Sequence, residues 1–427
     1  MFGILLGLVV LIALAYLGWS IIWVAPIAAG VVALTGGLDL LDAYTDTYMS
    51  GFVDFARNWF PVFMLGAIFG KLMEDTGMAK SVAVALTKLI GTKRAILGVI
   101  VSCAVLTYGG VSLFVVVFAV YPLALSLFRE ANISRRLMPA SVALGAFTFT
   151  MTAIPGTPQI QNLIPIPYFE TSATAAPVLG ISAALIMGGG GYLYLRWREN
   201  KLSEKGEVFT EPKDTKIAAF EGEPPSFILS LLPLITVLVT LNILNWDIVV
   251  ALISGIILIL FLNITKFKGF VKAINAGAIG SVTAIINTSA AVGFGTVVRE
   301  VPGFERLTEL LLGIRGNPLI SEAIAVNILA GATGSASGGM GIALEALGSR
   351  YYQLALDTGI NPEAFHRIAS LSSGGLDALP HNGAVLTLLT ITGLSHKESY
   401  KDIFVVAVAI PIVATAAAIL LASIGLV

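Results

Sequence analysis

Gly109-Gly110-Val111-Ser112 is matched by Gly334-Ser335-Ala336-Ser337, and Thr152-Ala153-Ile154-Pro155-Gly156-Thr157 by Asp377-Ala378-Leu379-Pro380-His381-Asn382, both at an offset of 225 residues. Gly70 falls on Gly295 by the same offset. These turn-forming residues lie inside long apolar stretches, where a helix break exposes backbone groups that lipid cannot satisfy. Duplicated, glycine- and proline-interrupted apolar segments mark the solute site of secondary transporters at mid-membrane depth. The pattern predicts an all-α polytopic membrane protein built from two copies of one unit, with broken helices at mid-membrane.

Composition fixes the solvent. Of 427 residues, 56% are hydrophobic and 12% charged, with a mean hydropathy of +0.90, where a soluble domain carries about 25% charge. The expected surroundings are a lipid bilayer. A formal net charge of -1 leaves no electrostatic footprint for nucleic acid. The single cysteine, Cys103, allows no intrachain disulfide and no cysteine metal cluster, and its apolar surroundings suit a small buried hydrophobe. Neither a metal nor an organic cofactor is expected. Met1 to Tyr16 is apolar and no Lys or Arg precedes Arg57, so the segment is expected to stay as a spanning helix rather than act as a secretory signal.

A spanning helix needs about 20 largely apolar residues. The first repeat, 1–195, offers them near 3–18, 20–36, 53–73, 138–163 (interrupted at Pro155) and 175–195, with a re-entrant hairpin at 95–127 broken at Thr107-Tyr108-Gly109-Gly110. The polar stretch 196–225 reads as a cytoplasmic linker. The second repeat, 226–427, repeats the order at 226–245, 247–263 and 276–298, then a hairpin at 318–350, a helix at 363–393 interrupted at Pro380, and 402–426. Five crossings plus one hairpin per repeat is an odd number of crossings, so the two repeats are expected to be inverted. With the linker inside, 19 basic residues fall in inner loops and six outside, namely Arg57, Arg299, Arg306, Arg315, Arg350 and Arg367, together the 25 of the chain. The acidic stretch Leu38 to Ser50 reads as an outer loop. By the positive-inside rule both termini are expected outside the inner (plasma) membrane.

The breaks carry the chemistry. Proline removes a donor and glycine permits the turn, so the half-helix that follows each break presents free amides, aided by its dipole, to an anion. The candidate solute site is Thr107, Tyr108, Gly109, Gly110 and Ser112 of the first tip, with Gly156, Thr157 and Gln159 of the first break. Its second half is Gly334, Ser335, Ser337 and Gly338 of the second tip, with His381, Asn382 and Gly383 of the second break. The alternative for any one of these is helix packing and back-bonded hydroxyls. Gly188-Gly189-Gly190-Gly191 has no counterpart in the second repeat and reads as a packing face. Charges at depth are functional candidates: Asp377, beside the second break and opposite Thr152 in the repeat, and Glu345 on the second hairpin. His381 reads as the only histidine inside an apolar segment, and imidazole titrates near neutrality. Asp377, His381 and Glu345 are therefore the proton-coupling candidates. Glu74 and Glu300, at equivalent helix ends, read as caps or loop ion pairs, and Phe52, Phe55, Trp59 and Phe60 as an interfacial aromatic belt.

Leu106 to Pro122, Pro155-Gly-Thr-Pro-Gln-Ile-Gln-Asn162, Thr333-Gly-Ser-Ala-Ser-Gly-Gly-Met340 and Leu379-Pro-His-Asn-Gly383 resemble the gluconate permease family, within it the D-β-hydroxybutyrate permease branch. The resemblance covers nearly the whole chain apart from the linker. It implies membership of the ion transporter superfamily, a homodimer with a scaffold part and a mobile transport part, and elevator-type motion. The expectation is a transporter, not an enzyme: proton-coupled symport of a small organic anion, a short hydroxy acid such as 3-hydroxybutyrate, or gluconate, with sodium as the alternative coupling ion. A sodium/proton antiporter would need no organic solute. An intramembrane hydrolase using His381, Asp377 and a hairpin serine would need a catalytic signature, and neither H-E-x-x-H nor a nucleophile elbow is present. A passive channel would not accumulate solute.

The charge asymmetry makes a direct prediction. Single cysteines at Ser203 and Thr45, in a Cys103→Ala background, should label from opposite sides of the membrane. Labelling of both by an impermeant reagent from outside would refute the layout.

Overall fold

The structure is a computed structural model that describes residues 2–17, 19–212, 225–312, 317–380 and 382–427. All regular structure among these residues is helical, and the order of elements repeats at the 225-residue offset. Phe2–Tyr16 and Ile21–Gly36 correspond to Phe227–Asn242 and Ile248–Leu262, and Leu40–Asp75 to Ile264–Glu300. Met78–Ile90 corresponds to Gly303–Leu312, and the hairpin Ala95–Tyr108 with Leu113–Glu130 to Pro318–Thr333 with Ala336–Thr358. Met138–Ala146 then matches Pro362–Ser373, and Pro177–Glu204 matches His396–Ser423.

Local sequence explains the helix ends. Asn317 and Asn361 cap their helices by accepting amide bonds, each followed by proline at the first helical position, where no donor is lost. The hairpins turn at Gly110 (φ +96°) and Gly334 (φ +59°), a left-handed backbone that glycine adopts without strain.

The most extensive packing joins the two long helices, Leu40–Asp75 and Ile264–Glu300. Gly51 lies against Gly293 and Thr296, and Gly277 against the backbone of Ile68, so the helices run antiparallel at backbone contact. Each also rests on the outgoing limb of its own hairpin at a glycine. Gly70 faces Val115 and Ser112, with 3.4 Å from its Cβ position to Val115, and Gly295 faces Ile342 at 3.1 Å. Between these helices and the breaks, one apolar core surrounds the first hairpin and another the second.

Four features differ from the sequence reading. The stretch Leu38 to Ser50 is helical from Leu40, because the Asp39 side chain accepts from the amides of Leu41 (2.9 Å) and Asp42 (3.0 Å) and starts a helix there. Met78–Ile90 and Gly303–Leu312 are additional short helices; the first buries Met78, Ala79, Val82 and Ala83 while carrying Lys80 and Lys88, an amphipathic pattern that hydropathy averaging hides. The breaks are longer than single proline interruptions. The first begins after Ala146 and continues through one-turn helices, since Pro155, Gly156, Pro158, Pro165 and Pro167 prevent a long second limb, and the second opens at Gly374. The linker is partly docked: Pro177–Glu204 extends into it, Arg198 pairs with buried Asp402 at 2.7 Å, and Glu207 and Glu211 pair with Arg136 (2.8 Å) and Arg129 (2.7 Å). Residues 213–224 of the linker lie outside the described residues.

The four-glycine run is a packing face on one side only. Gly191 lies against Leu144, its Cβ position 2.6 Å from Leu144 Cδ1, whereas Gly189 faces open space. Gly191→Val should therefore lower stability by about 1–3 kcal/mol through overpacking, and Gly189→Val should not. Thermal unfolding of the purified variants tests this, and equal losses would contradict the packing assignment.

Candidate functional site

The site is built from carbonyls that the breaks strand and side chains that satisfy them. At the first break, the Tyr108 hydroxyl donates to the Pro155 carbonyl at 3.0 Å, and Gln159 Nε2 donates to Thr107 O at 2.7 Å and Val111 O at 3.4 Å. The break is thus tied to the tip of its own hairpin. At the second break the arrangement recurs: Asn382 Nδ2 donates to the tip carbonyl of Gly334 at 2.9 Å while its Oδ1 accepts the Val385 amide at 2.9 Å. Tyr400 donates to Ala378 O at 3.1 Å, and His396 Nε2 lies 2.9 Å from Pro380 O.

The helix that leads into the second break, Pro362–Ser373, meets the first break through Arg367, which is fully buried (0% exposed). Its guanidinium donates to Ala175 O (2.7 and 3.1 Å), Asn162 Oδ1 (2.8 Å) and Thr152 O (3.4 Å), and Ser370 adds a bond to Thr152 O at 2.8 Å. Asn162 in turn donates to Thr157 O at 2.9 Å and Ala173 O at 2.7 Å. His366, also buried, lies 3.3 Å from Asn162 Oδ1 through Nε2 and 2.6 Å from the Thr171 hydroxyl through Nδ1. Because a carbonyl oxygen only accepts, Nε2 carries the proton and Nδ1 accepts from Thr171.

These contacts correct three expectations. Arg367 is no outer-loop residue, since a helix starting at Pro362 carries it a full turn inward. His366 is a second histidine inside an apolar segment. Buried charge at depth also includes Glu322, which the sequence reading passed over because it sits in a run otherwise rich in Ile, Ala and Val.

The expected site residues separate into bonded and available groups. The hydroxyls of Thr107 and Thr157 are buried and make no hydrogen bond among the described residues. Ser112 makes no capping bond, leaving the first turn of Leu113–Glu130 uncapped. Gly383 opens its helix facing empty space. By contrast Gly109 is packed on Leu234, and Gly156 (φ +80°) is covered by Asn242, which donates to its carbonyl at 2.9 Å. Ser335 caps Gly338 N at 3.1 Å and lies 3.5 Å from Ser337, itself 3.4 Å from Thr288. Beside them, the buried atoms Asn287 Oδ1 and Ser289 Oγ lack partners and were not expected; polar residues recurring inside the apolar helix Ile264–Glu300 were the available signal. Asp377 is buried in the short helix Leu376–Ala378 at the second break. Glu345 is held elsewhere, by Arg299 at 2.9 Å and Tyr168 at 3.2 Å. His381 lies outside the described residues. Among those residues, no cluster of three His, Cys, Asp or Glu side chains could hold a metal ion.

The GntP family permease model matches residues 1–246. An uncharacterized transporter, YxjC, of Bacillus subtilis is 43% identical, with 97% of this chain and 96% of that protein aligned. An uncharacterized permease of Haemophilus influenzae is 30% identical across 49% of this chain and 43% of its own length. The crystal structure of the Alcanivorax borkumensis YdaH transporter has the same general fold, with a TM-score of 0.59 at 14% identity, covering 90% of this chain and 88% of that one.

The Arg367 fork yields a stability prediction. A lysine cannot reproduce its planar donor set, and each buried carbonyl left unpaired costs about 1–3 kcal/mol. Arg367→Lys should therefore lower the melting temperature of the purified protein markedly, while Arg350→Lys, at an exposed position, should leave it unchanged. A wild-type melting curve for Arg367→Lys would show that this helix is not joined to the first break in this way.

Proposed function

Because the chain belongs to the GntP permease family and is a membrane transporter, we propose that it is a proton-coupled importer of a small organic monocarboxylate. The solute is a short hydroxy acid such as 3-hydroxybutyrate, with gluconate as the larger alternative. The observation that carries this reading is the contrast between bonded and unbonded groups at the breaks. The one guanidinium there, Arg367, is committed to protein acceptors, whereas the hydroxyls of Thr107 and Thr157 are buried and unpaired. A carboxylate bound between tip and break would meet neutral donors and helix-end amides, which favour an anion without fixing it as a buried ion pair would. Asp377 adjoins the second break. As a neutral acid it donates to the solute, and as a carboxylate it repels it, so its proton travels with the anion.

The antiparallel pairing of Leu40–Asp75 with Ile264–Glu300 supports two inverted copies. Each break is tied to its hairpin tip, and Arg367 ties the helix that leads into the second break to the first, which suits one mobile body moving against the long-helix pair as an elevator. Both termini outside and a homodimer complete the reading.

Uptake of labelled gluconate, 3-hydroxybutyrate, lactate and citrate into proteoliposomes, with proton and sodium gradients imposed separately, tests it. The expected result is accumulation of a monocarboxylate driven by the proton gradient alone. Sodium-driven proton movement with no organic solute would establish the antiporter instead. Thr157→Val removes a hydroxyl that holds no protein bond, so it should leave stability intact and weaken solute binding about tenfold to a hundredfold, the equivalent of about 1.5–3 kcal/mol for a bond to a charged ligand. Asp377→Asn should abolish proton-driven accumulation and spare counterflow exchange. Continued accumulation in that variant would move coupling to His381 or Glu345.

A further inference from the structure

Glu322 belongs to neither break. It lies in the first limb of the second hairpin, Pro318–Thr333, is 0% exposed, and has no hydrogen-bond partner for either carboxylate oxygen among the described residues. The exposed stripe of that limb is Ile320, Ile324 and Ile328. At 100° per residue, Glu322 points to the opposite, inward side with Val326, Leu329 and Thr333. Its equivalent in the first repeat is Leu97, so the acid is peculiar to one copy.

The charged groups on neighbouring elements leave it unpaired. On the outgoing limb the nearest titratable group is Tyr351, whose hydroxyl lies 3.1 Å from that of Ser321. Pro362–Ser373 carries Glu363, bonded to the Ala176 amide at 2.9 Å, and His366 and Arg367, committed to the first break. Asp377 follows at the second break. Gly303–Leu312 contributes Glu305, Arg306 and Glu309, all exposed. The packed helices Phe2–Tyr16 and Ile410–Ser423 contain no Asp, Glu, Lys, Arg or His.

An ionised carboxylate without water or partner costs several kcal/mol, so this environment accepts the neutral acid. We propose that Glu322 is a second proton-carrying site of the transport cycle, acting apart from the solute. It lies 11 residues before Thr333, about 16 Å along the helix at 1.5 Å per residue, beyond reach of a solute at the tip. Its carboxylate takes up one proton when the limb is hydrated on the proton-rich side, and the neutral acid crosses buried as seen here. The proton leaves to water on the other side, and no other reactant is needed. The inference rests on the proton-coupled reading above.

The test is the ratio of protons to solute entering proteoliposomes, measured with an internal pH dye and whichever of the four labelled acids the wild type accumulates. Glu322→Gln should move one proton fewer per solute while exchanging labelled for unlabelled solute, and Glu322→Asp should keep the wild-type ratio. An unchanged ratio in Glu322→Gln overturns the proposal. So does a Glu322→Gln protein that fails to fold, because glutamine copies the neutral acid assigned to this position. Wild-type uptake without proton movement overturns the coupled reading itself, and this proposal with it.

Discussion

A carbonyl stranded by a helix break in an apolar medium must find a donor, and that requirement organises this molecule. Two crossings are opened by proline and glycine; Tyr108 meets a freed carbonyl at the first break and Tyr400 and His396 do so at the second, while Gln159 and Asn382 of the breaks donate in turn to the carbonyls of the hairpin tips. Arg367, from the helix that leads into the second break, bonds carbonyls of the first, and Asn162, which accepts from it, donates to two more. The bonds that satisfy the breaks hold them in place, and the groups those bonds leave over are the ones proposed to meet a solute.

The same logic separates residues that hold the structure from those proposed to bind. Asn382 spends both ends of its amide on a cap and a tip carbonyl, and Gly109 and Gly156 are filled by Leu234 and Asn242. The hydroxyls of Thr107 and Thr157 bond nothing among the described residues. Buried charge divides similarly. Asp402 pairs with Arg198 at 2.7 Å, whereas Glu322 has no hydrogen-bond partner among the described residues. A buried group without a partner is costly to keep unless it has work to do.

Much of the fold was legible because glycine and proline act through the backbone and so leave their mark in order and spacing. The 225-residue offset picked out the stretches at which helices end in the structure, around Gly109, Pro155, Gly334 and Pro380, and paired Gly70 with Gly295. Hydropathy averaging erased what remained. It missed Met78–Ile90, whose apolar face alternates with Lys80 and Lys88, and took the acidic stretch after Leu38 for a loop although Asp39 caps a helix there. It also passed over Glu322 and put Arg367 outside, because one charge barely alters a window of apolar neighbours. The partners of these residues lie roughly 200 positions away for Arg367 with Asn162 and Ala175, and no local pattern encodes a contact of that range.

The proposed motion carries the two breaks as one body against the long-helix pair. Spin labels at the exposed positions Thr174, Thr358 and Arg57, in a Cys103→Ala background, read this directly by electron–electron distance measurement in membranes. The account predicts that the Thr174–Thr358 distance stays fixed when solute is added at low pH, while the Thr174–Arg57 distribution shifts. A shift within the Thr174–Thr358 pair, or a Thr174–Arg57 distribution indifferent to solute and pH, would contradict it.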